Sequence, residues 1–262
     1  MPMPIATTNI LGVRVSAINM QQALAVIDAW IARRAPQYVC VSNVHSIMES
    51  WDDPSLRRIH NEAGLVTPDG MPLVWVSRRR GLDHVDRVYG PDLMLALCEH
   101  SVERGYRHFL YGGSEGVPER LAERLRARFP GLQIVGAYAP PFRPLTPDED
   151  ARVVQRINGA QPDVVWVGLG MPRQEQWMHA HVGRLEAPVL LGVGAAFDFH
   201  AGLKKQAPRW MQRAGLEWSF RLMTEPRRLW KRYLRHNPRF VVLMMMQTLG
   251  LVRVPVDEAA LP

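Results

Sequence analysis

A chain of 262 residues with 47% hydrophobic and 22% charged residues is long enough for a complete α/β core and too apolar for large-scale disorder. Two cysteines, Cys40 and Cys98, do not form a disulfide framework, and we interpret them as small buried residues of a protein in a reducing compartment. Residues 1–9 lack the features of a signal peptide, and no run approaches the roughly 18 apolar residues of a spanning helix. The sequence therefore predicts a protein that stays in the cytoplasm.

From residue 10 to about residue 201, apolar runs alternate with helical patterns. This alternation predicts an α/β fold with a Rossmann-like, mostly parallel sheet and helices on both faces. Apolar residues recur every three or four positions in five predicted helices, at 20–33, 91–103, 117–129, 147–158 and 173–182. Six strands are predicted, at 38–42, 65–66, 107–111, 133–138, 164–168 and 188–192. The proline-dense loop 139–147 leads into a helix that we expect Thr146 to cap, with Pro147 at its first position.

The end of the chain differs in charge from the rest. Residues 204–253 contain twelve Lys and Arg against two acidic residues, a net +10, whereas the remainder carries 20 basic and 23 acidic residues, a net −3. This asymmetry favours an anionic partner, which could be phospholipid, nucleic acid or a pyrophosphate, over a merely solvated face.

The same segment is amphipathic over residues 207–224, is interrupted at Pro226, and continues as a second basic helix from 227 to 236. Residues 240–251 are apolar but too short to span a bilayer comfortably. Two interpretations stay open, an interfacial membrane helix and a buried helix that closes the core.

Glycine-bearing turns follow four predicted strands, at 68–70, 112–116, 168–170 and 192–194. Glycines at the carboxyl ends of parallel strands allow a diphosphate to approach the backbone and the next helix, which supports nucleotide binding. Residues 168–177, with Gly170 and Arg173, offer amides and side chains for a diphosphate or a sugar. Neither a P-loop nor a clean dinucleotide fingerprint is present, which counts against an ATPase and a dehydrogenase.

Asp69 lies in a Pro-Asp-Gly turn after a short apolar run. A sugar hydroxyl needs a general base within hydrogen-bond reach, and a carboxylate can serve, although an aspartate in such a turn commonly holds only its own backbone. The acidic and histidine residues show no metal-binding spacing, and His45 and His200 are interpreted as structural. We therefore expect no metal and no cofactor.

Taken together, seven ordered segments resemble the WecG/TagA/CpsF glycosyltransferase family over about residues 9–240. The matching runs are Val41-Ser42-Asn43, Thr67-Pro68-Asp69-Gly70, Arg87-Val88-Tyr89-Gly90-Pro91-Asp92-Leu93-Met94, Leu110-Tyr111-Gly112-Gly113, residues 168–177, Gly192-Val193-Gly194-Ala195-Ala196-Phe197-Asp198, and residues 215–232.

The resemblance implies an α/β catalytic domain at 1–203 and a helical, membrane-associating appendage at 204–262. It implies an inverting, metal-independent transfer from a UDP-sugar to a polyprenyl-diphosphate-linked sugar, by a peripheral protein at the cytoplasmic side of the inner membrane. An anionic membrane surface is then a partner, nucleic acid is not, and an oligomer stays open.

By position in these motifs, the resemblance implies three residues close to the reaction: Asp69 as the base, and Arg87 and Gln174 in substrate binding and catalysis. It also implies a substrate-binding set, which comprises Ser42, Asn43, Gly112, Gly113, Gly170, Arg173, Asp198, Arg221, Arg228 and Lys231. In this set Arg221, Arg228 and Lys231 are the cations expected to hold a diphosphate, and Asp198 lies in the nucleotide-side motif.

This chain departs from the family pattern at two points. Lys231 stands where relatives often have Arg, which keeps the charge but loses the bidentate fork. Val41 stands where relatives often have Thr two residues before the motif asparagine, so Ser42 is a candidate to replace that hydroxyl.

Within the family, the motif at 89–94 is similar to that of the enzyme that adds the second glucose in xanthan-type exopolysaccharide assembly, so we expect a β-1,4-glucosyltransferase. The alternative is transfer of N-acetylmannosamine or its uronic acid in teichoic acid or common antigen assembly. Two further hypotheses, a basic nucleic-acid-binding module and a dehydrogenase-like nucleotide binder, compete with transferase activity.

Overall fold

The computed structural model describes residues 5–256, which fall into two compact units. The first unit comprises the described residues of Met1–Met20, Val41–Tyr89 and Gln206–Pro262, and the second comprises Gln21–Cys40 and Gly90–Lys205. The basic C-terminal segment thus groups with two earlier parts of the chain. The functional division at 203/204 stays a prediction, and its last residues, 257–262, lie outside the described part.

The described residues form a two-stranded antiparallel sheet and a six-stranded sheet whose order is β4-β3-β8-β7-β5-β6. In the larger sheet β3 pairs with β8, β8 with β7, β7 with β5 and β5 with β6, all in parallel, so the predicted α/β fold is confirmed. The strands are β1 Thr7–Ile10, β2 Val13–Ser16, β3 Gln37–Ser42, β4 Leu65–Pro68, β5 Arg107–Gly112, β6 Gln133–Tyr138, β7 Val164–Gly168 and β8 Val189–Gly192.

The helices of the second unit are α1 Met20–Arg33, α5 Gly90–Arg104, α6 Val117–Arg128, α7 Pro147–Gly159, α8 Arg173–His181 and α9 Ala196–His200. Those of the first unit are α2 Val44–Asp52, α3 Pro54–Asn61, α4 Met71–Arg79, α10 Arg209–Arg213, α11 Glu217–Thr224 and α12 Pro226–Thr248.

Local signals explain how the second unit forms. Residues 164–167 of β7 are all fully buried, as expected for a central parallel strand flanked by helices. The Nε1 of Trp166 in this strand donates to Nδ1 of buried His108 at 2.9 Å, which satisfies the indole. Thr146 caps α7 in a capping box with Glu149, and Pro147 occupies the first turn, which confirms the predicted start of this helix. Cys40 and Cys98 are buried free thiols, as predicted.

The C-terminal helix of the first unit is longer than the sequence predicts. The predicted interruption at Pro226 is confirmed, because α11 ends at Thr224 and α12 begins at Pro226. The second helix then runs without interruption to Thr248 and contains Pro238. Proline is tolerated in the first turn, and an internal proline is tolerated where packing outweighs the lost hydrogen bond. The buried side chains of α12, at positions 229, 236, 240 and 244, recur at helical spacing and pack towards α2.

Both interpretations of this segment stay open, because α12 buries one stripe of side chains and exposes another. Its exposed apolar residues include Leu234, Val241, Val242, Met245 and, just after the helix, Leu249, all at least 55% exposed. Within residues 5–256, no helix combines the length and the apolar character that a membrane span requires.

Candidate functional site

The turn that carries Asp69 is fixed to the start of α2 in the first unit. The backbone N–H of Asp69 donates to the carbonyl of Ser42 at 2.8 Å. Asn43 caps α2 by accepting from the N–H of His45 at 3.0 Å, and its Nδ2 donates to Asp69 Oδ2 at 3.3 Å. One asparagine therefore orients both the helix and the carboxylate, and the predicted residues Ser42, Asn43 and Asp69 lie together.

Arg87 links this turn to the C-terminal segment of the same unit. Its Nε donates to the backbone carbonyl of Asp69, and its Nη2 donates to Glu217 Oε2 in an ion pair whose two side chains are mostly buried. The Tyr89 hydroxyl donates to the other oxygen of Glu217 at 3.1 Å, and the Arg87 guanidinium lies 4.0 Å from the Tyr89 ring centroid. Arg87 thus holds the turn of Asp69 and α11 in one network.

Charge and burial shape the acid–base state of this network. Burial alone would lower the pKa of Arg87, but the carboxylates of Asp69 and Glu217 outweigh it and raise that pKa. Burial, followed by Glu217 and Asp69, raises the pKa of the Tyr89 phenol. At neutral pH, Arg87 is therefore cationic and Tyr89 is a neutral hydrogen-bond donor.

A cavity of about 1230 Å³ in the first unit brings Asn43, Asp69 and Arg87 together with Arg221 and Arg232. The other walls are largely apolar and come from α4, α11 and α12, among them Met71, Trp75, Leu216, Trp218, Phe240, Val241, Met244, Met245 and Leu249. A carboxylate and cations at an apolar cleft suit an amphiphilic ligand whose head group is anionic.

Two of the arginines that line this cavity, Arg221 and Arg232, each have one N–H donor without a partner in the described part of the chain. The Nε atoms of Arg221 and Arg232 are buried and make no hydrogen bond within the described part of the chain. Burial, together with the charges of Arg221 and Arg228, lowers the pKa of Arg232 to about 10, so Arg232 stays cationic at neutral pH. A buried N–H donor without a partner is unfavourable unless a ligand satisfies it.

The other two cations that the resemblance selects do not line this cavity. Arg228 is exposed and pairs with Glu225 at 2.6 Å, and Lys231 is exposed with its Nζ 5.6 Å from the Trp230 ring centroid. Their binding role stays a prediction. Arg232 and Glu217 were given no role from the sequence, although both fall in the last matched run.

The second unit contains the remaining predicted residues, and close backbone contact explains its glycines. Gly112 and Gly168 pair at the ends of β5 and β7, and the N–H of Gly113 donates to the carbonyl of Gly168 at 2.9 Å. A Cβ on Gly112 would lie 2.6 Å from the Gly168 carbonyl carbon, and φ there is +126°. Only glycine fits at this position, because the two strand ends lie too close together for a side chain.

Gln174 lies at the start of α8 beside a second glycine turn. Its backbone N–H donates to the carbonyl of Gly170, which has φ +74°, and its Nε2 donates to Glu175 Oε1 at 2.9 Å. Both side chains are buried, and the Gln174 Oε1 has no hydrogen-bond partner in the described part of the structure. Burial raises the pKa of Glu175 to about 7. The amide is thus held by its donor end, and its acceptor end is free for a ligand.

The side chains of Arg173 and Asp198 make their contacts away from the Gly170 turn. Arg173 is exposed, with its guanidinium carbon 5.9 Å from the ring centroid of Phe142 in the proline-dense loop. Asp198, in α9, pairs with Lys204 Nζ at 2.8 Å. Nothing in these contacts assigns either side chain a ligand, so their substrate-binding role stays a prediction.

One cluster in the first unit has no counterpart in the sequence motifs. His45, Glu49 and His236 each present a metal-ligating atom, and these atoms lie within 4.8 Å of one another. Because His45 and His236 are far apart in the chain, no spacing rule brings them together. The expectation that the chain contains no such cluster is therefore wrong.

Comparison with known proteins agrees with the motifs. The model of the Glycosyl transferase WecG/TagA/CpsF family matches residues 8–253. An N-acetylglucosaminyldiphosphoundecaprenol N-acetyl-beta-D-mannosaminyltransferase of Bacillus spizizenii is 31% identical over 208 residues, which cover 79% of this chain and 78% of that protein. A Staphylococcus aureus protein of the same description is 28% identical over 229 residues, 87% of each chain.

Proposed function

Because the chain belongs to the Glycosyl transferase WecG/TagA/CpsF family, we propose that it transfers N-acetylmannosamine from a UDP-sugar to a polyprenyl-diphosphate-linked N-acetylglucosamine. Its activity as a glycosyltransferase follows from the family, whereas the donor and the acceptor are inferred from the names of the two relatives. Those names favour N-acetylmannosamine over the glucose that the motif at 89–94 suggests. They also favour transfer over the nucleic-acid-binding and dehydrogenase hypotheses.

The observation that carries this proposal is the composition of the cavity. It combines one carboxylate for the acceptor hydroxyl, two arginines with unsatisfied donors, and an apolar wall within a single compact unit. A lipid-linked diphosphate sugar has the complementary parts, namely a hydroxyl, an anion and an isoprenoid chain.

In the proposed reaction the acceptor hydroxyl attacks the anomeric carbon of the donor. The new C–O bond forms as the bond from that carbon to the diphosphate oxygen of UDP breaks, and the hydroxyl proton passes to the Asp69 carboxylate. Direct displacement inverts the anomeric configuration. Arg221 and Arg232 neutralise the acceptor diphosphate, and Arg87 keeps the Asp69 turn in place.

The glycine turns at 112–113 and 168–170, with Gln174, are the proposed nucleotide side. Gly170, where a Cβ would meet no atom within 4 Å, and the unpaired Gln174 Oε1 support contacts with a diphosphate and a sugar. Within this proposal Ser42 replaces the family's usual threonine hydroxyl near the sugar.

The decisive experiment incubates the full chain with a synthetic polyprenyl-diphosphate N-acetylglucosamine and separate UDP-sugars, and detects products by mass spectrometry. We expect a mass increase of one N-acetylhexosamine with UDP-N-acetylmannosamine and little product with UDP-glucose. Preferred transfer of glucose would reject the donor assignment, and no transfer from any UDP-sugar would reject the proposal as a whole.

Transfer is also expected to be independent of a divalent metal, as the resemblance to the family implies. After prolonged dialysis against EDTA, initial rates with the preferred donor should stay within about twofold of those of the untreated enzyme. The idea fails if EDTA abolishes turnover and added Mg²⁺ or Mn²⁺ restores it.

We further propose that the exposed stripe of α12 lies on an anionic membrane surface. Leu234, Val241, Val242 and Met245 recur on one helical face among basic residues, which is the pattern of an interfacial helix. In flotation assays, the chain should bind phosphatidylglycerol vesicles and bind phosphatidylcholine vesicles more weakly. Val242→Asp should reduce binding severalfold, whereas Leu203→Asp, an equally apolar exposed position in the second unit, should not; equal effects would contradict the proposed surface.

A further inference from the structure

Three potential metal ligands meet where α12 packs on α2 in the first unit. His45 and Glu49 are four residues apart on α2 and therefore share one face of that helix. His236 projects from the buried stripe of α12. Its Nε2 lies 3.2 Å from Glu49 Oε1, and the Nδ1 of His45 lies 3.7 Å from the same oxygen.

Both imidazoles have unused hydrogen-bonding capacity. The Nδ1 atom of His45 is buried and makes no hydrogen bond within the described residues, so its lone pair is free to bind a cation.

The separations match tetrahedral coordination. Ligand atoms at about 2.0–2.1 Å from a tetrahedral ion lie roughly 3.4 Å apart. The observed separations of 3.2 and 3.7 Å bracket this value. Two imidazoles and one carboxylate are a donor set that suits Zn²⁺ better than Mg²⁺, which prefers oxygen ligands and water.

We propose that His45, Glu49 and His236 bind one divalent transition-metal ion, of which Zn²⁺ is the best match, and that this ion links α2 to α12. His45 also lines the cavity, so the fourth position of the ion can be completed by water or an anion from that side. The proposal goes beyond the transfer reaction, because no step of that reaction uses the ion.

The surrounding charge sets the strength expected of this site. Arg221 and Arg232 act on His45 and oppose a dication, whereas Glu49 supplies one compensating negative charge. Asp52, one turn further along α2, already pairs with Arg239 at 2.6 Å and with Arg235 at 3.3 Å, so α12 is held to α2 without metal. The ion therefore strengthens an existing contact, and we expect moderate affinity instead of the tight binding of a structural four-ligand site.

The test is Zn²⁺ binding by the metal-free full chain, measured by titration calorimetry and by the zinc-dependent shift of the thermal midpoint. We expect saturable binding of one ion per chain and a rise of the midpoint with zinc. Glu49→Gln and His236→Gln should each weaken binding at least about tenfold, which is the size of loss that even supporting residues of metal sites cause. His84→Gln, which changes a histidine of the same unit outside the cluster, should bind like the unmodified chain.

Co²⁺ provides a second measurement that does not depend on how well the variants fold. Bound to the unmodified chain at the proposed site, it should show the intense visible absorption of tetrahedral coordination, and Zn²⁺ should displace it. Absence of this spectrum, absence of saturable zinc binding, or equal binding by folded Glu49→Gln and His236→Gln variants would overturn the proposal. None of these results bears on the donor panel, so the two proposals fail separately.

Discussion

Asp69→Asn is expected to lower the turnover number by about 10²- to 10⁴-fold, the range that a positioned general base contributes. Asparagine keeps the shape of the side chain, and its carbonyl oxygen can still accept the hydrogen bond from Asn43 Nδ2. The contact from Arg87 goes to the Asp69 backbone and is unaffected by the substitution. What disappears is the ability to take a proton from the acceptor hydroxyl.

The measurement is the initial rate with saturating donor and acceptor, alongside circular dichroism and a thermal melt to verify the fold. Asp83→Asn serves as the matched control, because Asp83 belongs to the same unit and is exposed. We expect that control to keep near-normal rates. Should a folded Asp69→Asn enzyme turn over within about threefold of the unmodified chain, Asp69 is not the base.

The regular parts of the fold follow from the sequence because their signals are local. The helix at 20–33 and the strands at 133–138 and 164–168 are found with the predicted bounds. In each of these segments the period of the apolar residues or the length of the apolar run decides the element. The cap at Thr146 is equally local, since one hydroxyl and one carboxylate three residues later define it.

The β1–β2 hairpin and the helices α2, α3 and α4 were not predicted. They are short, with four to nine residues each, so their apolar residues show no clear period, although α2 and α3 have local caps at Asn43 and Asp53. Asn43 caps α2 while it also holds Asp69, which lies 26 residues later. A short window of sequence does not reveal such a pairing, so tertiary context decides these elements.

For the site, too, the motifs predicted which residues are involved but not how all of them are arranged. Motifs were sufficient to select Asn43, Asp69, Arg87 and Arg221, all of which line the cavity. The motifs did not predict which face of α12 is buried, because the buried stripe includes His236, a polar residue. The packing of α12 against α2 shows that Arg232 lines the cavity and that Arg228 is exposed.

The second large effect is expected when the arginines of the cavity are substituted. Arg232→Gln and Arg221→Gln should each lower kcat/KM for the lipid-linked acceptor by about 10- to 100-fold, since a hydrogen bond to a charged group is worth about 1.5–3 kcal/mol. Both guanidinium groups are positioned in the cavity with a donor to spare, so binding a diphosphate recovers part of the energy spent on burying them. The KM for the UDP-sugar should change much less, because these arginines are assigned to the acceptor.

Arg228→Gln and Lys231→Gln are the natural comparison, because both remove one charge from the same helix at exposed positions. Long-range attraction of an anionic acceptor would weaken similarly in all four variants and would fade as salt is added. A direct contact in the cavity would persist at high salt and would be specific to Arg221 and Arg232. If Arg228→Gln and Lys231→Gln instead cause the larger loss at high salt, the diphosphate is held by Arg228 and Lys231, two of the residues that the family motif indicates. In that case the free donors of Arg232 have another role.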